Sequence, residues 1–212
     1  MKTISKKLLV FGGVVVSSAT SGAATISNGG FETPLAGDGG PPFSGRWTAF
    51  AGSANASAIT STTNPHTGSS SLALSIQGDD NSFAGAFQDL AIVPGQSISL
   101  SGMYSAIDPQ GVTLEMRIEW RDAAGNEFAR VEQNGGQPGA VYSMFNLESG
   151  EAPTGAVAGR VVFAVQTFGG EPLPGNTGTI YFDDVAASTI PEPGSSLLAL
   201  LGVLGFAARR SR

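Results

Sequence analysis

The stretch that decides the fold reads VTLEMRIEWR, residues 112–121. Apolar and polar side chains alternate through it without interruption, which is typical of a strand with one buried and one exposed face. The apolar side chains that share one face are Val112, Leu114, Met116, Ile118 and Trp120, and the other face carries Thr113, Glu115, Arg117, Glu119 and Arg121. The stretch therefore predicts a β-strand that covers a hydrophobic core.

Similar short segments recur on both sides of this strand. Residues 70–76 and 97–105 also alternate, and residues 157–168 are apolar on both phases, which predicts a central strand. Residues 179–187 form the last predicted strand. Turns rich in Gly and Pro separate the segments, and no long stretch has helical periodicity. Eight or nine short strands with frequent turns predict an all-β, two-sheet antiparallel β-sandwich.

The N-terminus has the layout of a secretory signal peptide. A positive region with Lys2, Lys6 and Lys7 precedes an apolar segment at residues 8–16 and a small, polar segment that ends at Ala24. We expect signal peptidase to cleave after Ala24. The apolar segment is too short to span a hydrocarbon core of about 30 Å. A short buried helix is the alternative interpretation.

The C-terminus, residues 190–212, has three parts. They are Pro191-Glu192-Pro193, an uncharged apolar run at residues 194–208, and a basic end with Arg209, Arg210 and Arg212. The run predicts a short transmembrane helix whose flanking arginines reach the interface. Because arginines stay on the cytoplasmic side, the preceding domain is expected to be translocated. A helix docked on the domain is the alternative, although the run has no polar face.

The order of these three parts resembles the PEP-CTERM sorting signal of Gram-negative bacteria. The resemblance implies recognition by an exosortase-type membrane protease, removal of the helix, and delivery to the cell surface or to an exopolysaccharide matrix. Together with the signal peptide, it divides the chain into residues 1–24, a domain at residues 25–188, and a sorting tail at residues 189–212.

Without its two ends, the chain has a different charge balance. The whole chain has a formal net charge of -6, but residues 25–190 contain all acidic residues except Glu192 and only five basic residues, all of them arginine. Their net charge is therefore about −11. A domain with this charge repels nucleic acid and attracts divalent cations. The chain has no cysteine, so the domain depends on its core, with a bound metal as one further source of stability.

Four short motifs beside predicted strands carry a second resemblance. They are Asn28-Gly29-Gly30-Phe31-Glu32, His66-Thr67-Gly68-Ser69, Val93-Pro94-Gly95 and Phe182-Asp183-Asp184-Val185. Together they resemble galactose-binding-like jelly rolls, an arrangement shared by carbohydrate-binding modules of xylanases and related enzymes. The resemblance implies a jelly roll with its termini close together. It transfers no sugar-binding residue, because binding residues in this fold lie on variable loops or on one sheet face.

The same resemblance implies a structural Ca²⁺ that ties the first strand to the last. Matching residue by residue gives Glu32 and Asp183 as carboxylate ligands, Asp184 as the substitute for Asp183, and backbone oxygens near Thr67 and Gly68. Ca²⁺ takes about six to eight oxygen ligands, many of them carboxylate and backbone oxygens. The alternative is that these carboxylates are solvated or accept hydrogen bonds from backbone amides.

Four aromatic residues could stack on sugar rings: Trp47, Tyr104, Trp120 and Tyr142. Trp120 ends the apolar phase of its strand, and Trp47 follows the first jelly-roll motif. We therefore expect both tryptophans in the core, and the ligand-binding residues stay unassigned.

The sequence contains no recognisable catalytic arrangement. Glu115 and Glu119 would stand about 13 Å apart along a strand, beyond the roughly 5–9.5 Å of glycosidase carboxylate pairs. Their alternation with Arg117 and Arg121 indicates a charged outer face with modest ion pairing. His66 is the only histidine and lies in a predicted turn. No G-x-S-x-G motif or P-loop is present.

These observations predict an exported, surface- or matrix-associated, non-catalytic protein whose domain binds polysaccharide. A structural spacer of the exopolysaccharide matrix with no ligand is the alternative, and a polysaccharide-active hydrolase has the least support. The expected partners are signal peptidase, an exosortase-type protease, polysaccharide and the membrane, but not nucleic acid.

Overall fold

The computed structural model describes residues 23–37, 45–135, 138–168 and 176–190. They contain ten strands: β1 (Thr48–Ala51), β2 (Ala56–Ser61), β3 (Ser71–Gln77), β4 (Phe83–Ala91), β5 (Ser97–Gln110), β6 (Thr113–Arg121), β7 (Glu127–Gly135), β8 (Ser143–Glu151), β9 (Ala158–Gln166) and β10 (Thr177–Ile190). Most of the predicted signal peptide and the sorting tail from residue 191 lie outside the described residues. Within the described ranges, no helix has the length and apolar character to cross a membrane.

The strands form two five-stranded antiparallel sheets. Sheet A has the order β2-β3-β10-β5-β8, and sheet B has the order β1-β4-β9-β6-β7. This arrangement confirms the predicted all-β, two-sheet antiparallel sandwich. The segment that is apolar on both phases forms β9 at the centre of sheet B, between β4 and β6.

The core lies between the two sheets and is rich in aromatic rings. Strand β6 turns its apolar phase inward as predicted, with Met116 and Ile118 fully buried. Phe163 of β9 and Phe182 of β10 stack with their ring centroids 4.3 Å apart, so the sheets meet through an aromatic contact. Trp47 and Trp120 are 2% and 3% exposed, which confirms the prediction that both tryptophans lie in the core.

The two ends of the described domain lie side by side. Thr25 forms an antiparallel bridge with Ser188. The N–H of Ala24 donates to Thr189 Oγ1 at 2.8 Å, and the N–H of Thr189 donates to the Ala24 carbonyl at 2.9 Å. Strand β10 therefore stays in the sheet to its last residue, Ile190, immediately before Pro191-Glu192-Pro193.

Loops gather at two opposite ends of the sandwich. The end at which β10 finishes also carries residues 92–96, 122–126 and 152–157, and we call it the tail end. Its loops are joined by hydrogen bonds from the N–H of Ile92 to the Val157 carbonyl and from the N–H of Gly95 to the Ala152 carbonyl.

Candidate functional site

Two consecutive aspartates at a bulge in β10 hold the loop at residues 64–70. The pairing of β10 with β5 shifts after Asp183, and Asp184 has a positive φ of 49°. Asp183 is fully buried. Its Oδ2 accepts hydrogen bonds from the backbone N–H groups of His66 at 2.8 Å and Thr67 at 3.0 Å, and its Oδ1 accepts one from the N–H of Asp184 at 2.7 Å. The buried carboxylate therefore fixes the loop through two backbone donors, and its third bond is to the next residue of β10.

Asp184 binds side chains of the same loop. Its Oδ2 lies 2.6 Å from Nδ1 of His66, and its Oδ1 accepts a hydrogen bond from Oγ1 of Thr67 at 2.5 Å. Partial burial acts to raise the pKa of Asp184, but the hydrogen bonds from Thr67 and His66 outweigh it and hold the pKa below its ordinary value. The ionised Asp184 carboxylate therefore stabilises the folded state fully at pH values above the pKa that Asp184 has in the unfolded chain. This stabilisation is lost as the pH falls through the lower pKa that Asp184 has in the folded protein.

Glu32 holds the other side of the loop. Its Oε1 accepts hydrogen bonds from the N–H groups of Ser69 at 2.9 Å and Ser70 at 3.2 Å, and its Oε2 accepts one from the Ser69 hydroxyl at 2.7 Å. These bonds, those of Ser69 above all, lower the pKa of Glu32. Gly68 has a φ of 61°, and a Cβ on it would lie 2.1 Å from Glu32 Oε1, so the close approach requires glycine.

The residues predicted to bind calcium thus lie around one loop. We call Glu32, Asp183 and Asp184 the carboxylate clamp, because their oxygens accept hydrogen bonds from the loop. Among the residues that the structure describes, no three His, Cys, Asp or Glu side chains form a metal-binding group. A Cβ on Gly30 would lie 3.8 Å from Asp183 Oδ1 and 4.0 Å from Glu32 Cγ, which is ordinary van der Waals contact.

The outer face of sheet B gathers most of the positive charge of the domain. Residues 25–190 contain five arginines, of which four lie on this face: Arg117, Arg121, Arg130 and Arg160. Acidic residues alternate with them: Asp89, Glu115, Glu119, Glu127 and Glu132. We call this surface the arginine face. Strand register produces the alternation, because Arg160 lies between Asp89 and Glu119 on the neighbouring strands.

Glu119 lies at the centre of the ion-pair network on this face. It is 1% exposed, its Oε1 accepts a hydrogen bond from Arg117 Nε at 2.5 Å, and its Oε2 pairs with Arg121 Nη2. Arg117 Nη1 also lies 2.8 Å from Glu115 Oε1, and the two groups form an ion pair. The geometry of this contact is not that of a hydrogen bond. Burial acts to lower the pKa of Arg117, but Glu119 and Glu115 outweigh it and raise the pKa. The sequence predicted an exposed charged face with modest ion pairing. In the structure Glu115 and Glu119 are buried, because arginine side chains cover them.

Arg160 joins the ion-pair network to an aromatic surface. Its Nε and Nη2 donate to the two carboxylate oxygens of Asp89 at 2.7 and 3.0 Å. Its guanidinium carbon lies 3.7 Å from the ring centroid of Phe87, a distance at which a cation is attracted to the face of a ring.

Phe87 is the first of four phenylalanines that lie in a row. The order is Phe87, Phe50, Phe83 and Phe168, with successive ring centroids 6.3, 6.1 and 5.8 Å apart. Phe83 and Phe168 are 36% and 44% exposed. A Cβ on Gly85 would lie 2.3 Å from the Phe50 ring, so this glycine lets the ring lie across β4. A cavity of about 260 Å³ lies between this phenylalanine row and the ion-pair network.

The aromatic candidates named from the sequence lie elsewhere. Tyr104 packs edge-on against Phe145 at 5.7 Å. The hydroxyl of Tyr142 donates to the Asn64 carbonyl at 2.6 Å, and burial raises the pKa of Tyr142. Sequence reasoning missed the phenylalanine row, although a signal exists. The segment FAGAF at residues 83–87 alternates large rings with small residues, and only one of its two apolar phases can face the core.

Comparison with solved structures shows the class of fold. The chain is similar to the enzymatically active domain of bacteriophage CBA120 tailspike protein 4, at 23% identity and a TM-score of 0.56, over 78% of this chain and 21% of that one. It is similar to an arabinose-bound α-L-arabinofuranosidase at 16% identity and a TM-score of 0.51, over 79% of this chain and 26% of that one. A family 16 carbohydrate-binding module matches at 15% identity and a TM-score of 0.49, over 76% of this chain and 97% of that one. The β-sandwich of this chain thus occurs in the first two proteins as well. In each of them the matching part makes up only about a quarter of the protein.

The chain also carries the PEP-CTERM protein-sorting motif, which matches residues 189–212. This match confirms the resemblance that rests on Pro191, Glu192 and Pro193. The motif implies export and exosortase sorting at the cell surface. No curated protein matches the chain.

Proposed function

We propose that this protein is a non-catalytic polysaccharide-binding protein of the cell surface or extracellular matrix of a Gram-negative bacterium. Its domain is a jelly roll of the carbohydrate-binding-module type. Signal peptidase removes residues 1–24. The apolar run at residues 194–208 anchors the precursor in the inner membrane until an exosortase-type protease acts on the sorting tail.

The phenylalanine row beside the arginine face is the observation that carries this proposal. A sugar ring offers apolar C–H groups to an aromatic ring and hydroxyl groups to charged side chains, and both surfaces meet here around one cavity. Arg121 lines that cavity, and its buried Nε has no hydrogen-bond partner among the described residues. A sugar hydroxyl would satisfy this donor, because a buried polar group without a partner is unfavourable.

The charges on the arginine face favour an uncharged polysaccharide. Arg117, Arg121 and Arg160 already face carboxylates that are at most 24% exposed. A uronate or sulfate group would have to compete with those carboxylates in a domain that is acidic overall. The same pairing supports a non-catalytic role, because Glu115 and Glu119 are bound to arginine rather than free to act as acid and nucleophile.

We expect Phe87→Ala to lower the affinity for polysaccharide by roughly tenfold, because the variant loses one aromatic surface and the ring over which Arg160 lies. Affinity electrophoresis and isothermal titration against neutral and acidic polysaccharides measure this effect. The matched control is Phe128→Ala, which removes a 46% exposed phenylalanine outside the row. Equal affinities of the two variants would contradict the site. If the native protein binds no polysaccharide at all, the matrix-spacer alternative is preferred.

We further propose that Ca²⁺ binds beside the carboxylate clamp. Glu32 and Asp183 or Asp184 would supply carboxylate oxygens, and Thr67 and Gly68 would supply backbone oxygens. The position of these donors around one loop supports the proposal.

Added calcium is expected to raise the Tm of the domain by roughly 5 °C over the value in EDTA, because a ligand that binds only the folded state stabilises it. Differential scanning calorimetry measures the shift, and added magnesium serves as the control because Mg²⁺ demands a smaller, more regular shell. An identical Tm in calcium and in EDTA means that the clamp acts through hydrogen bonds alone.

A further inference from the structure

We propose that the tail end of the sandwich lies against the membrane surface for as long as the C-terminal tail remains in the bilayer. The partner is the lipid headgroup layer on the translocated side of that same membrane. The proposal rests on the membrane anchoring in the proposed function, and it adds which surface of the domain faces the lipid.

The spacing between the fold and the apolar run limits how far the domain can stand from the membrane. Ile190 still pairs with Ser97 in sheet A, so the chain is fixed up to this residue. The apolar run begins at residue 194, only four residues later. Four extended residues reach about 14 Å at most, and the two prolines in this interval favour a shorter rise of about 3.1 Å per residue.

This reach is comparable with the thickness of the lipid headgroups. A bilayer of about 40–45 Å with a hydrocarbon core of about 30 Å leaves roughly 5–8 Å of headgroups on each side. A tether anchored at the edge of the hydrocarbon core therefore spends much of its length in crossing this layer. Little length remains to lift the domain away, so the tail end contacts the headgroups.

The tail end carries three exposed apolar side chains that suit such contact. Val93 is 48% exposed, Val157 is 41% exposed and Ile190 is 43% exposed. The first two lie on neighbouring loops, which are joined by the hydrogen bond from Ile92 to Val157. Single exposed apolar residues are common on protein surfaces, but these three lie at the end that the tether holds near the lipid.

Charge does not explain the contact. Asp122 and Glu151 also lie on the loops and strand ends of the tail end, and acidic side chains are not attracted to anionic lipids. The tether and the apolar side chains therefore produce the contact. With the tail end against the membrane, the strand axes lie roughly perpendicular to the bilayer. The arginine face, which is parallel to these axes, then faces away from the lipid and stays accessible to polysaccharide.

Site-specific fluorescence quenching tests the proposal on residues 25–212, the form that keeps the C-terminal tail after the signal peptide has been removed. The native sequence contains no cysteine, so Val157→Cys at the tail end and Asn81→Cys at the opposite end each give a single labelling site. Each variant is labelled with bimane and reconstituted into phosphatidylcholine vesicles that contain a headgroup nitroxide lipid. We expect the label at residue 157 to be quenched at least about threefold more strongly than the label at residue 81.

A linker variant separates tethering from chance contact. A flexible insert of about 12 Gly and Ser residues between Ile190 and Pro191 lengthens the tether, and it should lower the quenching at residue 157 to that at residue 81. Partial replacement of phosphatidylcholine by phosphatidylglycerol should leave the quenching unchanged. Val93→Cys gives a second reading at the tail end, and circular dichroism verifies that each variant is folded.

The outcomes distinguish this proposal from the anchoring on which it rests. If the protein floats with the vesicles but residues 93 and 157 are quenched no more than residue 81, the contact is wrong and the anchoring stands. If the protein does not float with the vesicles, the anchoring and the contact both fail. Quenching that increases with anionic lipid would overturn the explanation by tether and apolar side chains.

Discussion

Replacement of Asp183 by alanine is expected to lower the free energy of unfolding by about 4 kcal/mol. The Asp183 carboxylate is fully buried and accepts hydrogen bonds from the backbone N–H groups of His66, Thr67 and Asp184. Alanine leaves all three donors without an acceptor, and water has no direct access to replace it. The loop at residues 64–70 would lose its attachment to β10, and this loss would be visible as a lower urea midpoint.

The matched control for Asp183→Ala is Asp184→Asn. Asp184 is the next residue, but about a third of its side chain is exposed, at 34%. Asparagine also tolerates the positive φ of this position. We expect the control to cost about 1 kcal/mol. Both variants are compared with native protein by urea unfolding in EDTA, so that bound metal does not contribute. Similar losses in the two variants would mean that Asp183 has no special role in fixing the loop.

The second large effect is expected for Glu119→Ala, which should lower the free energy of unfolding by about 3 kcal/mol. Glu119 is 1% exposed and pairs with Arg117 and Arg121, whose side chains are only 17% and 16% exposed. Its removal leaves two largely buried guanidinium groups with fewer partners. Removal of one member of a buried ion pair costs more than the pair itself contributes, because the remaining charge stays desolvated.

Two further variants test the physical reason for the Glu119 effect. Glu132→Ala removes a partly exposed acid of the same face, whose ion pair with Arg130 is 3.6 Å long, and should change stability by less than about 0.5 kcal/mol. The double variant with Arg117→Met and Glu119→Leu should recover part of the loss, because it removes Glu119 together with one of its two arginine partners, while Arg121 keeps Glu127 and Glu115 keeps Arg130. If the double variant is less stable than Glu119→Ala, the explanation by an unpaired charge is wrong.

The arrangement of β6 could be predicted from sequence because one physical rule governs it. Each side chain in residues 112–121 is either clearly apolar or clearly polar, so the strand has one possible orientation toward the core. The position of β9 follows similarly from its two apolar phases, since only a central strand is buried on both faces. These two strands made the sandwich predictable.

The orientation of β4 could not be predicted in this way. Its sequence FAGAF offers an apolar residue on both phases, so periodicity does not choose between them. In the structure, Ala86 faces the core because it lies opposite Phe163, whose ring stacks with Trp47 and already fills the space. Phe83 and Phe87 are therefore directed outward, where they form part of the phenylalanine row.

The carboxylate clamp shows the same limit. The resemblance to jelly rolls brought Glu32, Asp183 and Asp184 together as metal ligands, and the structure places them around one loop. The hydrogen bonds of that loop link positions more than a hundred residues apart, such as His66 and Asp183. No local pattern tells whether such a carboxylate accepts a hydrogen bond from an amide or binds a metal.

The sequence by itself determined the all-β class, the two-sheet architecture and the sorting motif, because each depends on short-range order: alternation along a strand, or three elements in succession at one chain end. Only the tertiary structure decided the burial of Glu119, the phenylalanine row and the tail end. These features depend on which strands become neighbours and in what register, and pairings between distant strands leave no signal in the local sequence. The candidate binding surface is therefore a product of sheet assembly, whereas the sorting signal is encoded in a few consecutive residues.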